Sequence, residues 1–410
     1  MMLDRARTAV YVVFALNGML FASLVSRIPD VRAGLSLDNG SLGLLLLALA
    51  VGSLVALPTS GALIARFGAR AVVTSGGVVA AVGVLTAALG ATTVGSVALA
   101  ATGLVLGGAG VGVWDVAMNV EGAEVERRGR RTIMPRFHAV FSLGAVAGAL
   151  TAVPVVDLGV PVVPHLGVVA VLVVAGAAAA ARRFLPVGEY PTATGAVSSA
   201  WTEPRTLLVG VVVLAFALAE GTANDWLALA LVDGHDTSHA VGVAGFALFV
   251  AAMTAGRLSG PVLLDRFGRA PVLWVTAVVA VVGLLVLVHG SGPVAISAGI
   301  VAWGLGASLG FPVGMSAAAD DPARAAARVS VVSTIGYAAF LAGPPLLGAV
   351  GDAIGTLESL QVVALLLVPA SLAILAVRTT SGEQSVRQSG EPVVGPSVEE
   401  GADVGRGDRR

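Results

Sequence analysis

Long apolar runs alternate with short polar breaks along nearly the whole chain. Twelve runs stand out, at residues 8–27, 41–65, 71–90, 94–119, 134–155, 162–181, 206–232, 240–264, 271–289, 293–317, 328–350 and 358–377. A helix needs about 20 residues to cross a ~30 Å hydrocarbon core, so each run predicts one spanning helix. The first follows a charged start, holds Asn17 and continues to Val25 with no clear small-residue cleavage site. It reads as a retained spanning helix, not a signal peptide.

The polar breaks set the organisation. Residues 182–205 contain Pro186, Pro191, Thr192, Thr194, Ser198, Ser199 and Pro204. They predict a cytoplasmic linker between an N-terminal six-helix bundle (1–181) and a C-terminal one (206–377). Residues 378–410 are poor in apolar side chains and predict a disordered tail. Arginine is spread unevenly. With a cytoplasmic N-terminus, the inner loops hold Arg66, Arg70, Arg127, Arg128, Arg130, Arg131, Arg182, Arg183, Arg266, Arg269 and Arg324, and the outer loops only Arg27 and Arg32. That is the positive-inside pattern, and it puts both termini in the cytoplasm. The hydrophilic stretch from Glu121 to Arg131 is expected to be a solvated loop.

Composition narrows the class. The chain of 410 residues is 56% hydrophobic and only 12% charged, far below the quarter typical of soluble domains. A net charge of -1 suggests no nucleic-acid partner. With no cysteine there is no disulfide framework and no thiolate metal site. Five scattered histidines show no metal spacing. The glycine-rich run 107–112 lies inside a predicted helix, where it is no phosphate cradle. No enzyme activity, cofactor or metal is expected.

Polar groups inside the apolar runs are the candidate chemistry, because charge within a bilayer is costly and faces a cavity or a partner. Asp115 and Asn119 are i and i+4 and share a helix face, which Gly108 and Gly112 extend. Those glycines let a helix or a solute approach closely. His138 and Ser142 share a face of the next helix at similar depth, within reach of the carboxylate. Glu220 lies near mid-membrane with Asn224 one turn on, and Asp225 and Trp226 beside them. A Trp next to carboxylate and amide groups suits a sugar-like ligand, the ring on its apolar face and the polar groups on its hydroxyls. Asn17 and Trp114 complete the candidates for the solute path. Arg257 is expected to reach toward the interface or to pair structurally. Each acid has a plainer alternative: a structural bond to a neighbouring helix, or for Asp225 and Trp226 an interfacial belt.

The halves repeat. Leu63–Gly68 (LIARFG) matches Leu263–Gly268 (LLDRFG) at an offset of 200, which also carries Gly110 onto Gly310. The loop motif reads Gly61, Ala65, Arg66, Gly68, Arg70 in the first copy and Pro261, Asp265, Arg266, Gly268, Arg269 in the second. Over about residues 8–377 the chain resembles the major facilitator superfamily, whose loop motif is G-x-x-x-D-R-x-G-R-R/K. Within it, Trp114–Asn119, Phe137–Gly144, Glu220–Trp226 and Gly336–Pro345 resemble the fucose-permease-like branch. The resemblance implies an all-α integral membrane fold, with twelve helices in two six-helix bundles related by a pseudo-two-fold axis. It also implies a small solute moved with protons, Asp115 as proton carrier with Glu220 as second candidate, and loops at Gly61–Arg70 and Asp265–Arg269 that balance the two facing states. Ala65 departs from the motif where the family has aspartate. Such symporters also use an aspartate in the first helix, and here only Asn17 stands at that depth. Proton-driven drug or metabolite efflux is the alternative. Ala149 stands where the efflux motif after Gly144 and Gly148 would have proline. The expected setting is a bacterial inner membrane, among lipid, with a monomer as the working form.

Overall fold

The computed structural model describes residues 1–37, 39–186, 197–237 and 239–378. Residues 187–196 of the predicted linker and 379–410 of the predicted tail lie outside the described residues.

Eleven helical stretches are long and apolar enough to cross a membrane. One of them, Ser41–Val94, has 54 residues, which at 1.5 Å per residue is about 80 Å, more than two bilayer cores. It breaks at Gly68, where φ 78 and ψ 156 leave helical space. Glycine reaches that conformation without a Cβ clash. Two crossings result, and the described chain has twelve. They are α1 (Met2–Val25), α2 (39–67), α3 (69–94), α4 (Val97–Gly129), α5 (Met134–Asp157), α6 (Val162–Ala181), α7 (Pro204–His235), α8 (His239–Phe267), α9 (Arg269–His289), α10 (Gly292–Ala318), α11 (Ala325–Ile354) and α12 (Thr356–Val377). The fold is all-helical, because helices satisfy their own backbone groups where water cannot.

Small residues set the closest crossings. A Cβ on Gly108 of α4 would strike the backbone of Leu49 in α2, and one on Gly103 the backbone of Ala87 in α3. The glycine-rich run therefore seats α4 between α2 and α3. Gly108 and Gly112, the latter beside Ser53, serve helix approach rather than a solute. Gly144 and Gly148 have the same use in α5, against Ala15 and Met19 of α1.

Three expectations need correction. The first spanning helix starts at Met2, so Asp4, Arg5 and Arg7 are helical. The hydrophilic stretch after Asn119 is not a solvated loop as far as Glu126. α4 continues to Gly129, and Glu121, Glu124 and Glu126 are buried. Each has a reason to be. Glu121 accepts the Leu185 amide at 2.8 Å, Glu124 holds Arg127 and Arg128, and Glu126 accepts the Ile133 and Met134 amides at 2.6 and 2.7 Å. Finally, Gly110 does not correspond to Gly310. Gly110 packs on Ala80 of α3 as Gly306 packs on Ala280 of α9, whereas Gly310 meets Phe216 of α7. The repeat is therefore displaced by about one helical turn between α9 and α10.

α10 is itself interrupted at Ser308 and Leu309. Pro312 offers no N–H to the Ser308 carbonyl four residues earlier. That orphaned carbonyl matters below.

Candidate solute site and the contacts between the halves

The first half contributes one connected polar cluster at its centre. Asn119 donates through Nδ2 to the Asp115 carbonyl at 2.9 Å and to Asp115 Oδ1 at 3.3 Å. Its Oδ1 accepts from His138 Nε2 at 3.0 Å. The histidine therefore reaches the carboxylate through the amide, not directly. Asp115 is 6% exposed, makes no ion pair among the described residues, and its Oδ2 has no hydrogen-bond partner there. Tyr337 of α11 brings its hydroxyl beside the Asp115 carboxyl, and its ring packs near Phe311 and Phe340. The His138 ring lies edge-on between Phe14 of α1 and Phe311 of α10, at centroid distances of 5.1 and 5.5 Å. Asn17 is buried nearby in α1, its Nδ2 without a partner among the described residues.

The second half contributes an ion pair. Arg257 of α8, 4% exposed, donates through Nη2 to Glu220 Oε2 of α7 at 2.7 Å. Its Nε donates at 3.3 Å to the Ser308 carbonyl that Pro312 leaves free, and its Nη1 at 3.1 Å to Ser142 Oγ of α5. The last bond crosses between the halves. Arg257 pairs inside the bundle and does not reach toward the interface. Asn224 and Asp225 are exposed, and Trp226 is half-buried beside Gly348 of α11 with its indole nitrogen unpartnered. Trp114 is fully buried against Gly77 of α3, a packing position.

At the end where α1 begins and α12 stops, further bonds join the halves. Asp265 Oδ1 accepts from the Thr132 amide at 3.2 Å and the Thr132 hydroxyl at 2.5 Å. Ser316 of α10 donates to Glu126 of α4. Ser330 of α11 donates to the Leu57 carbonyl of α2 at 2.5 Å. Gly61 lies against the Ala326 and Ala327 backbone, where a Cβ would meet the Ala326 carbonyl at 2.9 Å. Asp320 anchors this end in the second half, binding Arg205 at 2.5 Å and Arg269 at 2.7 Å. Glu203, just before α7, binds Arg324 and Arg328 and accepts from Thr206. Burial pushes the Glu203 carboxyl up, but those hydrogen bonds and guanidinium charges together hold it below the usual carboxylate range. In the first loop copy, Arg66 lies over Phe67 and Arg70 is exposed, and neither makes an ion pair among the described residues. Two clefts of about 450 and 460 Å³ lie at the opposite end, around Arg27 and Arg32, and contain none of the central polar groups.

The sequence pattern named Asp115, Asn119, His138 and Glu220, and the fold brings them to one level between the halves. It did not name Tyr337, Phe311, Glu126, Ser316 or Asp320. It also left Arg257 without its partner. Pro312 was the available signal, since it frees a carbonyl for a donor from a neighbouring helix.

Two similar halves of membrane-crossing helices, with a charged cluster buried where they meet, define a multi-pass membrane transporter. The Major Facilitator Superfamily profile matches residues 10–344, and the chain belongs to that superfamily. An uncharacterised MFS-type transporter of Yersinia pestis is 31% identical over 370 residues, 89% of this chain and 94% of that one. An uncharacterised transporter of Sinorhizobium fredii is 33% identical over 345 residues, 83% of this chain and 89% of that one. Among solved structures, FucP in the outward conformation, the fucose:proton symporter of E. coli, superposes with a TM-score of 0.76 at 16% identity, over 91% of this chain and 99% of that one. The human organic anion transporter MFSD10 gives 0.73 at 16% identity, over 91% and 99%. At such identities the likeness is one of fold.

Proposed function

We propose that the protein is a proton-coupled symporter of a hydroxylated, sugar-like solute, working by alternating access. The observation that carries this reading is Asp115. It is a buried carboxylate in the middle of the membrane region with no cation paired to it among the described residues. A charge at such a depth costs ~2.5–3.5 kcal/mol on insertion scales, and a bound proton removes that cost. Asn119 and His138 hold the carboxylate in position and offer further polar groups to a solute. Asn17, Asn224, Asp225 and Trp226 line the remaining path, with Trp114 behind it. The bundles 1–181 and 206–377 rock about this centre, with 182–205 as their linker and both termini in the cytoplasm of a bacterial cell. The contacts at Gly61–Arg70 and Asp265–Arg269 hold the cytoplasmic side shut, and the likeness to an outward-conformation structure accords with that state. A monomer in lipid is sufficient for this cycle.

The test is external pH in de-energised, weakly buffered cells expressing the protein, as sugars and other small solutes are added singly. Alkalinisation with one solute is expected, and its loss in Asp115→Asn with normal expression. Full coupled uptake in that variant would remove Asp115 from the role. Silence with every solute, together with dye extrusion under an imposed pH gradient, would replace symport by efflux.

A further inference from the structure

Arg257 keeps its charge throughout the physiological pH range, and its guanidinium is buried at the meeting of the halves. Its hydrogen bonds are uneven. One nitrogen binds a single oxygen of Glu220 at 2.7 Å, while the others go to neutral oxygens, Ser142 Oγ at 3.1 Å and the Ser308 carbonyl at 3.3 Å. A guanidinium presents a planar fork that matches both oxygens of a carboxylate. Among the described residues no carboxylate uses the fork. Glu220 is the more open partner, with 18% of its side chain exposed against 4% for Arg257.

The groups around the pair fit one kind of visitor. His138 of α5 is one turn from Ser142, which Arg257 binds, Tyr337 of α11 stands beside Asp115 of α4, and Asn224 and Asp225 follow Glu220 along α7. A proton on Glu220 would leave the guanidinium uncompensated inside the bundle, an unfavourable state unless another anion arrives. We propose that the co-transported solute bears a carboxylate, and that Arg257 receives it when a proton on Glu220 releases the guanidinium. The solute class is then a hydroxylated monocarboxylate, a sugar acid rather than a neutral sugar. The proton goes to a Glu220 oxygen and the solute carboxylate takes the freed N–H groups. One proton and one monoanion together add no net charge. Ser142 belongs to the first half, so a carboxylate that also takes Nη1 breaks a bond between α5 and α8, which links binding to the rocking of the halves. This inference rests on the proton-symport reading above and takes Glu220, the second candidate, as the carrier of the single coupled proton in place of Asp115.

The experiment uses the purified full-length protein with matched solutes: glucose against gluconate and glucuronate, and galactose against galactonate and galacturonate. Binding is read as a thermal shift in detergent, and transport as internal pH and current in proteoliposomes. The acids are expected to stabilise the wild type and to lose affinity about tenfold per pH unit once Glu220 is deprotonated, as one linked proton requires. Glu220→Gln should bind them with less than about a twofold change between mildly acidic and neutral pH, because no proton is then linked. The double variant Glu220→Gln, Arg257→Gln strands neither member of the pair, so it should fold, and it should bind the acids about tenfold more weakly or worse. Transport should acidify the vesicles without current. Acid binding that survives in the double variant overturns the proposal. A neutral sugar that moves protons with an inward current also overturns it, while proton symport itself stands. Arg257-dependent binding of acids with no proton movement keeps the anion site and removes the coupling. Silence with every solute, in wild type and Glu220→Gln alike, rejects both.

Discussion

At Gly68 and at its counterpart Gly268 the chain turns with nearly the same φ, 78 and 81, and the arginine before each phenylalanine lies over that ring at 5.3 and 5.1 Å. Around these matching turns the chemistry differs. The second copy has Asp265 on Thr132 across the interface and Arg269 on Asp320. The first has Ala65 and Ala69 at those two places, and closure there falls to Gly61 against the α11 backbone and to one hydroxyl, Ser330 on Leu57. Glu124 stands where Asp320 does, but it turns to Arg127 and Arg128 of its own helix. The same split runs through the centre: a lone acid with an amide and an imidazole in the first half, an acid paired with arginine in the second. The backbone repeat needs only glycine and small residues at close approaches. The charges obey no such constraint, so the halves are free to differ in them.

That contrast can be broken most forcefully at the centre. Arg257→Gln should destabilise the protein by ~3–5 kcal/mol, the usual effect of stranding one member of a buried pair. Asp115→Asn should cost ~1 kcal/mol or less, since no cation loses its partner. Thermal unfolding in detergent compares them, and equal losses would erase the difference drawn between the two acids. Next come the loops. Asp265→Asn removes a charge-assisted acceptor worth ~1.5–3 kcal/mol and should open the end where α1 begins. Distances between spin labels at Arg131 and Arg266 would lengthen; unchanged distances would show that Asp265 does not hold this end. In the other direction, Ala65→Asp places an acid near the start of α11 and should tighten closure by ~0.3–1 kcal/mol. If it opens the same end instead, the two copies are not functional counterparts.

The smallest effect concerns Glu203. Its carboxyl lies below the usual range in the folded protein, so it binds fewer protons folded than unfolded. Its contribution is therefore present above the ordinary glutamate range and disappears as pH falls through the folded value. Glu203→Gln should lower stability by ~1 kcal/mol at neutral pH and by nothing at strongly acidic pH. A difference between variant and wild type that does not shrink on acidification would mean that the carboxylate charge is not what Arg324 and Arg328 hold.

Much of the site was legible in the chain, and the reasons are local. Asp115 and Asn119 are one turn apart, so any helix puts them on one face. His138 could be placed at their depth because adjacent spans run in opposite directions. Glu220 stood out as charge in an apolar run. What could not be read were partners set by neighbouring helices. Nothing in the sequence says that Arg257 meets Glu220, 37 positions earlier. Glu121, Glu124 and Glu126 resembled a loop because hydrophilic composition gives no hint of the buried amides and guanidiniums that receive them.

The chain by itself determined how many times it crosses the membrane, where it turns, and which charges are held at depth. These follow from the length of apolar runs against a fixed bilayer thickness and from glycine at strained turns, all properties of short segments. Only the tertiary structure decided which of those charges are neutralised and which are left bare. It put an arginine on Glu220 and none on Asp115, because ion pairing depends on helix rotation and crossing, set by small residues at contacts such as Gly108 on Leu49 and Gly144 on Ala15.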